Sequence, residues 1–159
     1  MVTIELEMFV HAPAERVFDL ARSVDLHVRS TGGTREQAVA GRTTGLLEPG
    51  ETVTWRARHL GAWRKLTSRV STYERPRHFR DEMVSGAFAW LEHDHFFDPV
   101  PGGTLMRDVF RFAAPLGPLG WLAERLLLER YMARFLAERN AVIKQVAESD
   151  EWHPLLEGG

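Results

Sequence analysis

The sequence of 159 residues contains no cysteine, carries little net charge and has no long hydrophobic run. Without cysteine there can be no disulfide, no thiolate metal site and no cysteine nucleophile, and an intracellular location is favoured. The formal net charge of −2, from 20 basic and 22 acidic residues interspersed along the chain, provides no field that attracts nucleic acid or anionic lipid. No apolar run approaches the roughly 20 residues that cross a bilayer, and the first residues lack the pattern of a secretory signal. We therefore expect a cytoplasmic protein with no transmembrane segment and no nucleic-acid partner.

The front of the chain has the pattern of a strand followed by a helix. Residues 2–8 alternate between apolar and polar side chains, which is typical of a strand with one buried face. Pro13 then occupies a position that the first turn of a helix tolerates, and apolar residues follow it at helical spacing. Residues 23–33 have a weaker pattern, which fits a second short helix or a packed loop.

Turn residues divide the middle of the chain into segments of strand length. We predict strands at residues 35–41, 51–60, 63–74, 78–85, 87–97 and 104–113. Connections this short join antiparallel neighbours, and an antiparallel sheet can bury one face and expose the other to water.

The end of the chain changes to helical periodicity. Between Leu119 and Ala147 an apolar stripe recurs, with the charged residues, Arg139 among them, largely off it. The stripe consists of Leu119, Leu122, Leu126, Met132, Phe135, Leu136, Val142, Ile143 and Val146. We predict a single helix that buries this face along its whole length. The domain is expected to cover residues 1–149, followed by a loosely ordered tail at 150–159.

A long amphipathic helix and a strongly bent antiparallel sheet leave a space between them. That space must be filled by side chains or by a ligand. Five tryptophans and nine phenylalanines, several of them at strand positions, suit the wall of such a space.

Several stretches resemble the START-like, or SRPBCC, superfamily. They are residues 10–18 (VHAPAERVF), 79–82 (FRDE), 86–90 (GAFAW), 93–96 (HDHF), 103–108 (GTLMRD) and 115–117 (PLG). They are similar to its bacterial polyketide cyclase/dehydrase-like, ligand-binding branch. The resemblance implies the α+β helix-grip fold of lipid-transfer domains, pollen allergens and aromatic polyketide cyclases: a curved antiparallel sheet of about seven strands around a long C-terminal helix, with two short helices after the first strand. It specifies the fold more than the activity, because the superfamily contains both binders and enzymes.

Four polar residues share faces with apolar neighbours on the last three predicted strands. Asp81 and Asp108 alternate in step with apolar residues on the first and last of these strands, and His93 and His95 lie on one face of the strand between them. These four residues are the candidates for a catalytic role.

The turn at residues 98–103 suggests a register for the last two strands. It predicts three opposed pairs: Phe97 and Thr104, His95 and Met106, and His93 and Asp108. In this register the four polar residues converge on one wall of the interior. Phe88 and Trp90 have the opposite parity to the histidines, so both groups point inward only if the strand has a bulge near Trp90.

Three interpretations of the four polar residues compete. In the first, Asp108 orients the ring of His93 as a buried structural pair. In the second, a histidine poised by a carboxylate moves a proton α to a carbonyl, as an aldol cyclisation or dehydration requires. In the third, His93 and His95 bind a metal with an aspartate, but the pattern lacks a clear third ligand. We therefore expect neither a metal nor another cofactor.

The sequence thus predicts a protein that binds a small hydrophobic molecule, aromatic or lipid-like, between the sheet and the C-terminal helix. Apolar walls supply the affinity and a few polar groups fix the orientation. The expected lining is Trp55, Phe79, Met83, Phe88, Trp90, His93, His95, Met106, Asp108, Phe110, Tyr131 and Phe135. One alternative is a cyclase/dehydrase-like enzyme that uses a histidine and an aspartate of the cluster as acid and base. Another is a protein-interaction or co-chaperone-like module with a filled cavity. The sequence does not specify an oligomeric state.

Overall fold

The structure, a computed structural model, describes residues 1–115 and 117–157. In this part of the chain seven strands form one antiparallel sheet in the order β1-β7-β6-β5-β4-β3-β2. The strands are β1 (Val2–Val10), β2 (Gln37–Gly41), β3 (Thr52–His59), β4 (Ala62–Glu74), β5 (His78–Ser85), β6 (Trp90–Val100) and β7 (Gly103–Ala113). Consecutive strands from β2 to β7 are neighbours, and β1 pairs with β7 at the far edge. The predicted antiparallel sheet of about seven strands is confirmed.

The helices lie before and after this run of strands. They are α1 (Ala14–Ala21), α2 (Val24–Ser30), α3 (Gly117–Ala123), α4 (Glu129–Ala147) and α5 (His153–Leu156), with a 3-10 turn at Gly32–Thr34 and a π-helical segment at Glu124–Leu128. Ser23 caps α2, because its hydroxyl oxygen accepts a hydrogen bond from the backbone N–H of Leu26 at 3.1 Å. Among the described helices, none has both the length and the apolar character of a membrane span.

Buried apolar side chains form three clusters. The first centres on Phe18 of α1, whose ring meets Phe79 and Phe97 of the sheet edge-on at centroid distances of 5.2 and 5.3 Å. The second joins β1, β6 and β7 to the middle of α4, and the third joins α2 to β3. The C-terminal helix therefore packs on the curved sheet at more than one place along its length.

The prediction that the C-terminal helix buries its apolar stripe along its whole length is wrong for the first part of the helix. Five apolar residues there expose between 47% and 73% of their surface: Leu119, Trp121, Leu122, Leu126 and Leu127. Continuous burial of the stripe starts only within α4, at Met132. A π-helical turn holds more residues than an α-helical turn, so the intervening segment rotates the early stripe out of phase with the later one.

The last described residues pack on the domain. Trp152 lies under the guanidinium of Arg16, 4.1 Å from the ring centroid, and packs with Leu155 and Leu156 of α5 against the first cluster. Aromatic and leucine side chains thus hold this segment on the domain. Leu116, within the PLG motif, and Gly158 and Gly159, at the end of the expected tail, lie outside the described residues.

The register between β6 and β7 differs from the predicted one by two residues. His95 pairs with Asp108 and His93 with Phe110, because pairing continues to Val100 and Gly103 at a tighter turn. Since strand faces repeat every two residues, this shift leaves every side chain on its expected face. The strand begins at Trp90 and its pairing with β7 is regular, so the bulge considered near Trp90 is absent from the described pairs.

The convex face of the sheet carries an ion-pair network around Asp94. The Arg80 guanidinium donates to both carboxylate oxygens of Asp94 at 2.9 Å, His78 Nε2 lies 2.6 Å from Oδ1, and Arg111 lies 3.2 Å from Oδ2. Burial by itself would raise the pKa of Asp94, but the hydrogen bonds from Arg80 and His78 outweigh it and lower the pKa to about 2. The outer surface of β5, β6 and β7 is thereby held together by charge.

Candidate functional site

A cavity of about 430 Å³ lies between the concave face of the sheet and α4. Its volume falls within the roughly 300–1,000 Å³ of pockets that bind drug-sized molecules. Most of its wall is aromatic and aliphatic. Polar side chains form one place on β5 and β6 and a second beside β2 and β3, and further polar residues line the cavity elsewhere, among them Arg22, Arg64, Lys65, Ser68 and Arg139.

Most of the residues predicted to line the cavity do so. They are Trp55, Phe79, Phe88, His93, His95, Phe110, Tyr131 and Phe135, and Asp81 joins them. Met106 and Asp108 are instead buried behind the wall, and Met83 packs against the second cluster. Trp90 is 37% exposed and does not reach the cavity, because its parity on β6 is opposite to that of His93 and His95.

The first polar place is the histidine wall, formed by Asp81 of β5, His93 and His95 of β6, and Asp108 of β7. His95 lies between the two carboxylates, with Nε2 2.8 Å from Asp81 Oδ2 and Nδ1 3.2 Å from Asp108 Oδ1. His93 Nε2 lies 2.7 Å from the same Asp108 oxygen, and the two imidazole rings are tilted against each other at a centroid distance of 3.7 Å. Because ionised carboxylates only accept hydrogen bonds, both nitrogens of His95 and Nε2 of His93 carry protons.

Helix α4 holds the histidine wall from behind. Asn140 Nδ2 donates to Asp108 Oδ2 at 2.5 Å, and Arg139 donates to Asn140 Oδ1 and to the carbonyl of Ala21. Arg139 is buried and lines the cavity, so its expected position off the apolar stripe is wrong. Its hydrogen bonds and its approach to Asp108, at 3.9 Å, compensate for the cost of burying a guanidinium.

The charges of the histidine wall divide unequally between the two imidazoles. Burial lowers the pKa of His93, and the neighbouring His95 lowers it further, so His93 is neutral near pH 7. Burial also disfavours charge on His95, but its hydrogen bonds to Asp108 and Asp81 outweigh this and raise its pKa. Burial by itself would raise the pKa values of Asp81 and Asp108, but their hydrogen bonds to the histidines lower both. The pKa of Asp108 is lowered well below its ordinary value.

The pKa values of His93 and His95 are shifted in opposite directions, so the two rings supply a proton acceptor beside a proton donor. His93 presents its neutral Nδ1 as an acceptor, and His95 is the donor. Donor atoms of Asp81, His93 and His95 also lie within 4.8 Å of one another, so these residues could hold a metal ion. A metal would have to replace the existing hydrogen bond between Asp81 and His95, which already satisfies two of the three residues.

The second polar place lies near the opposite edge of the sheet. Glu36 Oε1 lies 2.9 Å from His27 Nε2, and the His27 ring packs on Trp55 at a centroid distance of 4.1 Å. Nearby on the same cavity wall, His59 Nδ1 lies 2.6 Å from the hydroxyl of Tyr131. Burial is the main reason that the pKa of His59 is lowered and that of Tyr131 raised.

Sequence reasoning missed Glu36 and His27. Glu36 has the same parity as Ala38, which pairs with the inward-facing Trp55, so alternation along the strand could have placed Glu36 on the inner face. The apolar but exposed Val39 has the opposite parity and obscured this alternation. His27 lies on α2, where the weak pattern left open whether the segment is helical. The contact between them depends on how α2 folds against β2.

Comparison with known proteins gives a family match. Residues 1–148 match the family described as polyketide cyclase / dehydrase and lipid transport. No curated protein matches the chain.

Solved structures of several proteins share the architecture. TTHA0849 from Thermus thermophilus superposes with a TM-score of 0.74 at 18% identity, over 91% of this chain and 95% of that one. A START superfamily protein from Mycobacterium smegmatis gives 0.68 at 13% identity, over 91% and 98% of the two chains. Major latex-like protein 151 from Panax ginseng gives 0.65 at 11% identity, over 93% and 98%. At these identities the likeness shows the fold alone, and it confirms the predicted START-like helix-grip fold. With the family match over nearly its whole length, the chain belongs to the polyketide cyclase / dehydrase and lipid transport family.

Proposed function

We propose that this protein binds one small, mostly apolar molecule in the cavity, with a polar group of that molecule against the histidine wall. The observation that carries the proposal is a cavity of about 430 Å³ with aromatic walls and a few polar groups in fixed positions. Apolar surface removed from water contributes about 25 cal/mol per Å² to the affinity. The polar groups then select the orientation.

The hydrogen bonds of the histidine wall support an orienting role. His95, Asp108 and Asn140 are held by contacts from the sheet and from α4, so their positions are set before a ligand arrives. A binding site organised in advance loses less free energy to ordering on binding. The coarse class of ligand, hydrophobic with at least one polar group, follows from this combination.

A fluorescent probe tests the proposal. N-phenyl-1-naphthylamine, which brightens in apolar surroundings, is titrated into the wild-type protein and into Ala57→Phe. Ala57 is a buried residue of β3 on the cavity wall, so a phenyl ring there takes up ligand space. We expect one probe per chain in the wild type, and an affinity at least about tenfold lower in the variant, or about 1.4 kcal/mol.

Ala141→Phe is the matched control, because Ala141 is exposed on α4 and is not part of the cavity wall. It should bind the probe as the wild type does. Absence of probe binding to the folded wild-type protein would refute the proposal, and so would equal binding by the wild type and Ala57→Phe.

A second candidate function, proton transfer, is favoured by the opposed protonation of the two histidines. Neutral His93 could accept a proton α to a carbonyl of the bound molecule, while His95 Nε2 exchanges its hydrogen bond to the cavity-facing Asp81 for one to the carbonyl oxygen. This is the chemistry of a cyclase or dehydrase. The remaining alternative, an interaction module with a filled interior, is not supported, because the space between sheet and helix is a cavity.

Hydrogen–deuterium exchange at the α-carbons of 2-tetralone in D2O tests the second function. The wild-type protein should accelerate this exchange, as followed by proton NMR, and His95→Gln should lose the acceleration while still binding the naphthylamine probe. His153→Gln, which changes a surface histidine that is 47% exposed, is the control. Exchange at the rate of buffer alone in the wild type would leave binding as the function.

A further inference from the structure

Glu36 is a carboxylate in an apolar row of the sheet. It directly precedes β2, and Ala38, two residues later, pairs with Trp55 on the concave face. Because strand faces repeat every two residues, Glu36 points inward. It is 7% exposed and lines the cavity, although no lysine or arginine forms an ion pair with it among the described residues.

One oxygen of this carboxylate lacks a hydrogen-bond partner among the described residues. Oε1 is paired with His27 Nε2 at 2.9 Å. Among the described residues, Oε2 is the one buried side-chain polar atom without a hydrogen-bond partner. Leaving a buried charged acceptor unpaired is costly, and native structures rarely do so without a functional reason.

We infer that the ligand carries a hydrogen-bond donor, a hydroxyl or an amine, that is bound by Glu36 Oε2. This inference rests on the proposed function and assigns the chemistry of one end of the ligand. The terminal torsion of a glutamate side chain is soft, so a small rotation turns Oε2 towards the cavity. A donor from the ligand then completes the carboxylate's hydrogen bonds.

The surroundings of Glu36 suit a donor on an aromatic or alicyclic ring. Trp55 forms a flat wall beside it, backed by the ring of His27. His59 and Tyr131 line the same cavity, as do the basic residues Arg64 and Lys65 of β4. A carboxylate or phosphate on the ligand would be repelled by Glu36, whereas a hydroxyl or an ammonium group is attracted.

The two polar places set the distance between the polar groups of the ligand. Glu36 precedes β2, and Asp81 lies on β5, three strands away. Neighbouring strands are about 4.8 Å apart, so three strand spacings contribute about 14 Å across the sheet. The two carboxylates are also offset along the strands, because Asp81 pairs with Val70 of β4 whereas Glu36 is level with Ala57, which pairs with Arg64. A ligand that reaches both polar places has a donor at the Glu36 end and a polar group at the histidine wall.

A pair of matched probes tests the inference. 2-Naphthol and 2-methoxynaphthalene have the same ring system, but only the first can donate a hydrogen bond. Their affinities are measured by displacement of N-phenyl-1-naphthylamine from the wild-type protein. We expect 2-naphthol to bind about tenfold more tightly, as a hydrogen bond to a charged acceptor supplies.

Three variants locate the origin of the preference. Glu36→Gln keeps an oxygen for His27 and puts an NH2 donor in place of Oε2, so the preference for 2-naphthol should fall to about one. Glu82→Gln makes the same chemical change on β5 away from the cavity and should keep the tenfold preference. Asp81→Asn should also keep it, because the hydroxyl is assigned to the other end of the cavity.

The outcomes are distinct for the two proposals. Equal affinities of the two probes in the wild type would overturn the Glu36 inference, with Oε2 then bound to water, and would leave the cavity's role as a binding site intact. A preference that survives in Glu36→Gln and disappears in Asp81→Asn would also overturn it. If neither probe displaces the naphthylamine because nothing binds, the proposed function itself fails. Equal affinities in the wild type decide against the inference even if a variant does not fold.

Discussion

Replacing Asp108 by Asn should destabilise the protein far more than the same change at Asp81. The carboxylate of Asp108 is 1% exposed and accepts from His93, His95 and Asn140. An amide removes the negative charge that balances His95 and places an NH2 group against donors. Removing one partner of a buried pair in this way costs about 3–5 kcal/mol.

The change Asp81→Asn has a smaller expected cost because its surroundings differ. The Asp81 side chain is 24% exposed on the cavity wall. Within the histidine wall, its hydrogen-bond partner is His95. One charged hydrogen bond at a partly solvated position contributes about 1–2 kcal/mol. The exposed Asp98 of β6 provides the control, and Asp98→Asn should change the stability by no more than about 0.5 kcal/mol.

Urea unfolding at pH 7, followed by circular dichroism, measures the three free energies of unfolding. For a chain of this length, the cost at Asp108 corresponds to a decrease in Tm of roughly 6–20 °C. The slope of the free energy against urea should stay constant, since a change in slope would signal a different unfolded or native state. Equal losses for Asp108→Asn and Asp81→Asn would show that the wall is not anchored from behind, and the division between a structural and a cavity-facing aspartate would be wrong.

Three further predictions concern other parts of the molecule. The folded pKa of Asp94, about 2, is lower than its ordinary value of 3.8, so the stabilisation from Asp94 is present above about pH 4 and is lost as the pH falls towards 2. When the free energy of unfolding is measured against pH, Asp94→Asn should remove up to about 2 kcal/mol of this dependence. The same loss of stability in acid for the wild type and the variant would contradict the prediction. Gly103→Ala would place a Cβ 2.1 Å from the backbone oxygen of Val10, so β1 and β7 would have to separate. We expect the free energy of unfolding, measured by thermal unfolding, to fall by more than about 2 kcal/mol. A decrease below about 0.5 kcal/mol would disprove the close approach. Leu126→Gln should change the stability by less than about 0.5 kcal/mol, but Leu136→Ala should cost about 2–5 kcal/mol in the same assay; similar costs would show that the whole stripe is buried.

The elements and their faces were predictable because they depend on local periodicity. Alternation in β1 and in the strands from β2 to β7 identified the sheet, and the change to helical spacing identified the C-terminal helix. The predicted pairing of His93 with Asp108 was wrong by two residues. The residues still share a face, because parity is a property of the strand itself and not of its partner.

Features that depend on contacts between distant segments were not predictable. The orientation of the early helix depends on the π-helical segment, which has no distinct periodic signal. The anchoring of Asp108 depends on Asn140, 32 residues further along, which reads as an ordinary polar residue of a helix. The contact of Glu36 with His27 likewise arises from the packing of α2 beside β2.

The sequence by itself determined the order of the elements, the face that each one buries and the presence of two histidines and two aspartates on the inner face of the sheet. These follow from side-chain spacing along one segment at a time. Only the tertiary structure decided which of those groups faces the cavity, which is held behind it, and that a third carboxylate, Glu36, lies at the other end. Such distinctions depend on burial and on partners that are far apart in the chain, and local spacing carries no information about either.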